Sequence, residues 1–172
     1  ASMGIVSFFK EAGEKLFGSK DTEAAAAAAA QAPSQADLQE RARAANLAAA
    51  QAIEKYIASQ KLSADGLAVE FDGTTSTVAV SGQAADQATK EKILLCCGNV
   101  QGVASVSDLM TVAQPADESQ YHTVVKGDTL SAIAKKFYGN ANLYPKIFEA
   151  NKPMLSHPDK IYPGQLLRIP KN

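Results

Sequence analysis

The sequence predicts an α+β chain of two small domains in tandem, and three observations predict it. Hydrophobic spacing switches repeatedly between a helical period and a strand period of two along the 172 residues. A polar stretch, "AQPADESQ", divides two such patterns, with residues 114–120 as the linker. Charge also divides there: residues 1–120 hold 9 Lys and Arg against 15 Asp and Glu, whereas 121–172 hold 8 against 3. Opposite signs favour contact between neighbours, screened over about 8 Å at physiological salt.

In chain order, residues 1–17 come first. Ile5, Phe8, Phe9, Ala12 and Leu16 recur at helical spacing over 4–17, which predicts a short amphipathic helix. Such a helix is marginal alone in water, so its apolar stripe needs a surface to dock on. The protein's own body is favoured over a membrane, because a membrane-surface helix is normally richer in Lys. Residues 18–36, "GSKDTEAAAAAAAQAPSQA", are low in complexity and read as a spacer, helical or frayed, that ends at Pro33.

The first domain spans 37–113. Ser34 or Asp37 can cap a long helix whose apolar face includes Leu38, Ala45, Ala49, Ile53 and Ile57. The period then becomes two: Leu67, Val69 and Phe71 alternate, then Val78 and Val80, around a turn at Asp72 and Gly73. This predicts an antiparallel hairpin. "DQATKEKILLCCGN" returns to helical spacing and closes at Gly98 and Asn99, and "VASVSDLMTVA" is a third strand. Two helices on one face of a three-stranded sheet make a small sandwich of order αββαβ.

The second domain spans 121–172 and reads strand, helix, helix, strand: "YHTVV", "LSAIAKKFYG", "NANLYPKIFEANK" and "QLLRIP". A unit this small buries little, so Leu130, Ile133, Phe137, Leu143, Ile147, Phe148 and Leu166 are expected to form nearly all its core. Asp128 and Thr129 suit the cap of its first helix.

Several function classes are disfavoured. The two cysteines, Cys96 and Cys97, form one dipeptide, so neither a disulfide framework nor a full zinc set can be drawn. Adjacent thiols are poorly placed to bridge each other, and core packing is favoured over redox sensing. His122 and His157 lack Cys or acidic neighbours at ligand spacing and read as surface or strand residues. No nucleophile, histidine and acid set stands out, so no enzyme is expected. The basic half has no Arg cluster or aromatic ladder, which argues against nucleic acid. No segment approaches the roughly 18 apolar residues of a membrane span. Ala1 and Ser2 read as a remnant before an initiator Met3, and the following apolar run stops at Lys10 and Glu11. That run is too short for a secretory leader, so a cytoplasmic location is expected. A monomer is expected as well.

From Tyr121 onward, "VVKGDTLSAIA", "IFEAN" and "IYPGQLLRIP" resemble the LysM domain from end to end. The preceding unit, with "VAVSG" in its second strand and "GNVQGVASV" after its second helix, is similar to the BON domain. The pair, preceded by "FKEAGEKL", resembles the bacterial cytoplasmic potassium-binding proteins of BON plus LysM architecture. The alanine-rich segment departs from the shorter, more charged connection of that family.

This resemblance implies a non-enzymatic sensor or buffer that becomes more compact and stable as it takes up potassium, with rubidium or caesium as further candidate ions. The ion would sit in a cage of main-chain carbonyls from Phe9, Ala12 and Glu14 in one segment and Gly98, Val100 and Val103 in another. The chemistry is consistent: carbonyl oxygens can replace the hydration shell of a monovalent cation, whereas divalent ions favour carboxylates. The loop "CCGNVQGV" follows a helix end with unsatisfied carbonyls, Gly98 and Gly102 permit unusual dihedrals, and Val100 and Val103 shield it. Gly13 loosens the first segment similarly. Contact between the BON and LysM units is expected to accompany ion binding. A rival reading takes the LysM unit as a binder of peptidoglycan or another N-acetylglucosamine polymer in the cell envelope, through Gly127, Asp128, Thr129, Leu130 and Ile161.

Overall fold

The computed structural model describes residues 5–7, 24–28 and 36–172. Its first unit is a four-stranded sheet in the order β1-β4-β3-β2, covered by two helices. Strand β1 is Ile5–Ser7, helix α1 Ala36–Ser59, β2 Asp65–Asp72, β3 Thr77–Asp86, α2 Gln87–Gly98 and β4 Ser105–Gln114.

The element β1 corrects the expected helix over 4–17 at its start and adds a fourth strand to the expected three. Ile5, Val6 and Ser7 pair antiparallel with Ser107, Val106 and Ser105 of β4. The physical reason is an open edge: β3 occupies only one side of β4, and the β-branched Ile5 and Val6 suit the other. The remainder of that predicted helix lies outside the described residues. Within the alanine run, residues 24–28 are helical.

Burial on α1 is concentrated in its C-terminal half, where Ala49, Ala50, Ile53 and Ile57 are buried while Leu38 and Ala45 are only half-buried. Two of its polar side chains hold the hairpin. The Glu54 carboxylate accepts from the Val69 amide at 3.2 Å, and the Asn46 carbonyl accepts from Gly73 at 3.1 Å. Strands β2 and β3 form the predicted antiparallel hairpin, and β3 runs parallel to β4 from Thr77↔Ser105 to Asp86↔Gln114. A parallel pair needs a crossover, and α2 supplies it. Asp86 caps α2 by accepting from the Thr89 amide at 2.8 Å. Inward-facing Val69, Phe71, Val78, Val80, Val106 and Met110 meet both helices in one core.

The second unit pairs β5 (Gln120–Thr123) antiparallel with β6 (Leu166–Ile169). Between them lie α3 (Leu130–Tyr138), a single 3₁₀ turn at Ala141–Leu143 and α4 (Tyr144–Ala150). Gly139 ends α3 in the left-handed conformation at φ 74°. The core contains Leu130, Ile133 and Ile147 as expected, together with Val124, Ala134, Leu155, Leu167 and Ile169. Phe137, Leu143 and Phe148 pack at its margin. Leu166 is buried, but it faces the first unit and not its own core. Thr129 caps α3 through the Ala132 amide at 3.1 Å. Asp128 does not cap; it binds the Val125 amide at 3.0 Å and the His122 ring at 2.8 Å, giving His122 an acidic partner that spacing did not predict.

Candidate functional site

The loop of residues 98–104 joins α2 to β4. The Asn99 amide donates back to the Leu95 carbonyl at 3.0 Å, which closes the last turn of α2. In a trans peptide the C=O and N–H point in opposite directions, so the Gly98 carbonyl points forward off the helix end. The Val103 amide donates to the Val100 carbonyl at 3.2 Å, with Gly102 at φ 94° between them, as a type II turn requires. That bond occupies one of the two acceptor directions of the Val100 oxygen. The Ala104 amide donates to the Ser76 carbonyl at 2.7 Å, so the Val103 carbonyl is directed away from the β2–β3 turn.

Gly98 is glycine for a different reason than expected. It is helical, and a Cβ there would stand 2.8 Å from Leu166 Cδ2 of the second unit. Close approach, not an unusual dihedral, requires it; the dihedral argument holds for Gly102 alone. The side chains of Val100 and Val103 are fully buried in the first core, so the loop has a dry wall. Phe9, Ala12 and Glu14 lie outside the described residues.

Sequence reasoning missed the residues that join this loop to the second unit. Asn99 is 5% exposed. Its Oδ1 accepts from the Leu166 amide at 2.7 Å and its Nδ2 donates to the Leu166 carbonyl at 3.0 Å. At the other end of α2, the carboxylate of buried Glu91 accepts from Arg168 Nε at 2.7 Å. It accepts also from the Ser119 hydroxyl at 2.7 Å, the Ser119 amide at 2.8 Å and Gln87 at 3.1 Å. Burial opposes ionisation of Glu91, but these donors outweigh it and hold the group below its ordinary value of 4.5. The only available signal for Asn99 was its place directly after the helix-ending glycine, which reads equally well as an ordinary cap.

Cys96 and Cys97 are free and fully buried. Burial raises the Cys96 thiol to about 12 and raises Cys97 as well, so neither forms a reactive thiolate near neutrality. Among the described residues no group of three or more His, Cys, Asp and Glu side chains could hold a metal. Among the described residues no helix is long and apolar enough to cross a membrane.

The residues of the rival glycan reading are only partly brought together. Gly127, Asp128 and Thr129 share the turn before α3, but Leu130 is buried in the second core and Ile161 packs against that core.

Residues 45–114 match the BON domain and residues 122–170 match the LysM domain. The chain is 46% identical over 170 residues to the Potassium binding protein Kbp of Escherichia coli O6:H1, covering 98% of this chain and 99% of that protein. An uncharacterized protein of Deinococcus radiodurans is 43% identical over 82 residues, covering 41% of this chain and 32% of its own length. Esterase Rv1288 of Mycobacterium tuberculosis is 52% identical over 48 residues, which is 28% of this chain and 10% of the esterase.

Proposed function

This chain belongs to the family of the Potassium binding protein Kbp, and on that premise we propose that it binds potassium in a cage of backbone carbonyls. The donors are those of Gly98, Val100 and Val103 in the loop after α2 and of Phe9, Ala12 and Glu14 in the N-terminal segment. The protein acts without catalysis, as a cytoplasmic sensor or buffer, and becomes more compact as the ion draws the N-terminal segment and the LysM unit onto the BON unit.

The observation that carries this reading is the register of β1. Its last residue, Ser7, stands opposite Ser105, the first residue of β4 and two beyond Val103. The chain leaving β1 therefore departs from the end of the sheet at which the loop arrives. The forward direction of the Gly98 carbonyl and the buried Val100 and Val103 supply oxygen and dry surroundings at that end. Neutral carbonyls suit a monovalent ion whose hydration is weakly held. The rival glycan reading has less support, because Leu130 is buried.

Thermal unfolding in KCl against NaCl at equal ionic strength tests the proposal. A ligand that binds only the folded state stabilises it by about 2.7 kcal/mol at a hundredfold excess over Kd. The midpoint is expected to be higher in KCl, and small-angle scattering to give a smaller radius. Equal midpoints and equal radii would reject it.

A further inference from the structure

A cavity of about 180 Å³ lies where the two units meet, and the potassium reading makes no use of it. Tyr56 of α1 lines it from the first unit, and the segment between α4 and β6 supplies Leu155, Ser156, Lys160, Tyr162 and Gln165 from the second. Ligand sites form preferentially at such domain junctions. The volume equals that of about six waters in the liquid, which suits a compact ion and not a nucleotide or a sugar polymer.

The lining is one-sided in its chemistry. Lys160 carries the only formal charge among the described residues that line it, and no carboxylate joins them. Asp159, next in sequence to Lys160, turns to solvent with its side chain 92% exposed. Gln165 fixes the polarity of the wall. This residue is 5% exposed, and its Oε1 accepts from the Tyr162 amide at 3.3 Å. Its backbone N–H donates to the Tyr162 carbonyl at 3.1 Å, and its carbonyl accepts from the Val124 amide at 2.8 Å. With Oε1 spent inside the loop, Nε2 is the end that remains for the cavity, and it donates to no group among the described residues. A buried primary amide with an idle donor calls for an acceptor. The Ser156 hydroxyl and the Lys160 ammonium add donors from the same lining.

We infer that this junction cavity is a second ligand site, for a small oxyanion, with Gln165 Nε2, the Ser156 hydroxyl and the Lys160 ammonium as the groups that hold it. Its ligand is opposite in sign to potassium, and its donors are side chains, so the site stands independently of the carbonyl cage. Inorganic phosphate and a short carboxylate share the required chemistry: compact negative oxygens that accept charge-assisted hydrogen bonds.

Two-dimensional NMR of the full chain tests it, at fixed pH and KCl, with sodium phosphate or sodium acetate titrated against sodium chloride at equal ionic strength. The side-chain NH₂ pair of Gln165 is expected to shift and saturate with an oxyanion and to stay in place with chloride. Saturation by phosphate alone, or at the lower concentration, identifies a phosphate site; the reverse order identifies a carboxylate site. Lys160→Met removes the charged donor and is expected to weaken the titration about tenfold. Lys126→Met, which removes an exposed lysine of the same unit outside the lining, is expected to leave it unchanged. Lys160 is exposed too, so its variant keeps the fold, which an unaltered spectrum away from the cavity confirms. Shifts that grow without saturating, or equal weakening by both substitutions, show general ionic attraction only and overturn the site. Absence of any shift with either oxyanion makes water the occupant and overturns it as well.

Discussion

The two ends of α2 meet the LysM strand by different physics. At Glu91 the contact is an ion pair whose side chains are 3% and 12% exposed, surrounded by neutral donors. At Asn99 it is a neutral amide bracket, tightened by the close approach of Leu166 to Gly98. The charged end depends on pH and leaves a costly carboxylate if its partner is lost. The neutral end depends on geometry. Placing the charge seven residues before Gly98 keeps a formal anion out of the loop.

The largest effect is expected at the charged end. Arg168→Met leaves Glu91 buried with only neutral donors, and removal of one partner from a buried pair typically costs about 3–5 kcal/mol. Urea unfolding of the variant would show this, and a loss below about 1 kcal/mol would mean that the pair is effectively solvent-exposed. The same variant sharpens the pH contrast. Glu91 has a lowered pKa in the folded state, so its contribution is complete above its ordinary value of 4.5 and is lost as pH falls through the lowered one. Without Arg168 the folded pKa rises, and the acid limb of the stability profile is expected to move to higher pH.

A smaller effect is expected at the neutral end. Gly98→Ala forces a methyl against Leu166 and should cost about 1–3 kcal/mol by overpacking. Leu166→Ala makes room for that methyl, so the double variant is expected to lose less than the sum of the two single losses. Strict additivity would show that the two residues do not press on each other.

The smallest effect concerns the thiols between these ends. Cys96 is raised to about 12 by burial, so maleimide labelling of the folded protein near neutral pH should be negligible and become complete in denaturant. Rapid labelling of the native protein would place the thiols at an accessible surface and undo their assignment to the core.

Much of the fold was legible because periodicity reports burial. Val69 and Phe71, then Val78 and Val80, alternate in the sequence and face one core in the structure. Ile53 and Ile57 mark the buried face of α1 in the same way. The loop "CCGNVQGV" was recognisable as irregular backbone, since Gly98 and Asn99 end a helix and Gly102 turns the chain. Its attachment was not. Asn99 and Leu166 are 67 residues apart, and a side-chain amide bonded to a peptide group has no periodic or pairwise signature. Leu166 read as core for its own domain because hydrophobicity states that a residue is buried but not against what. Asp128 read as a cap because its short carboxylate suits either that role or a bond to His122, and only the neighbouring strand decides.

The sequence by itself determined the alternation of elements and the division into two domains, because these follow from residue type and local spacing. Tertiary structure alone decided that Ile5–Ser7 becomes an edge strand, that Gly98 makes room for Leu166 and that one amide ties the loop to the LysM strand. Each of those depends on an open edge or a backbone group supplied by a distant part of the chain, and local spacing carries no record of such a partner.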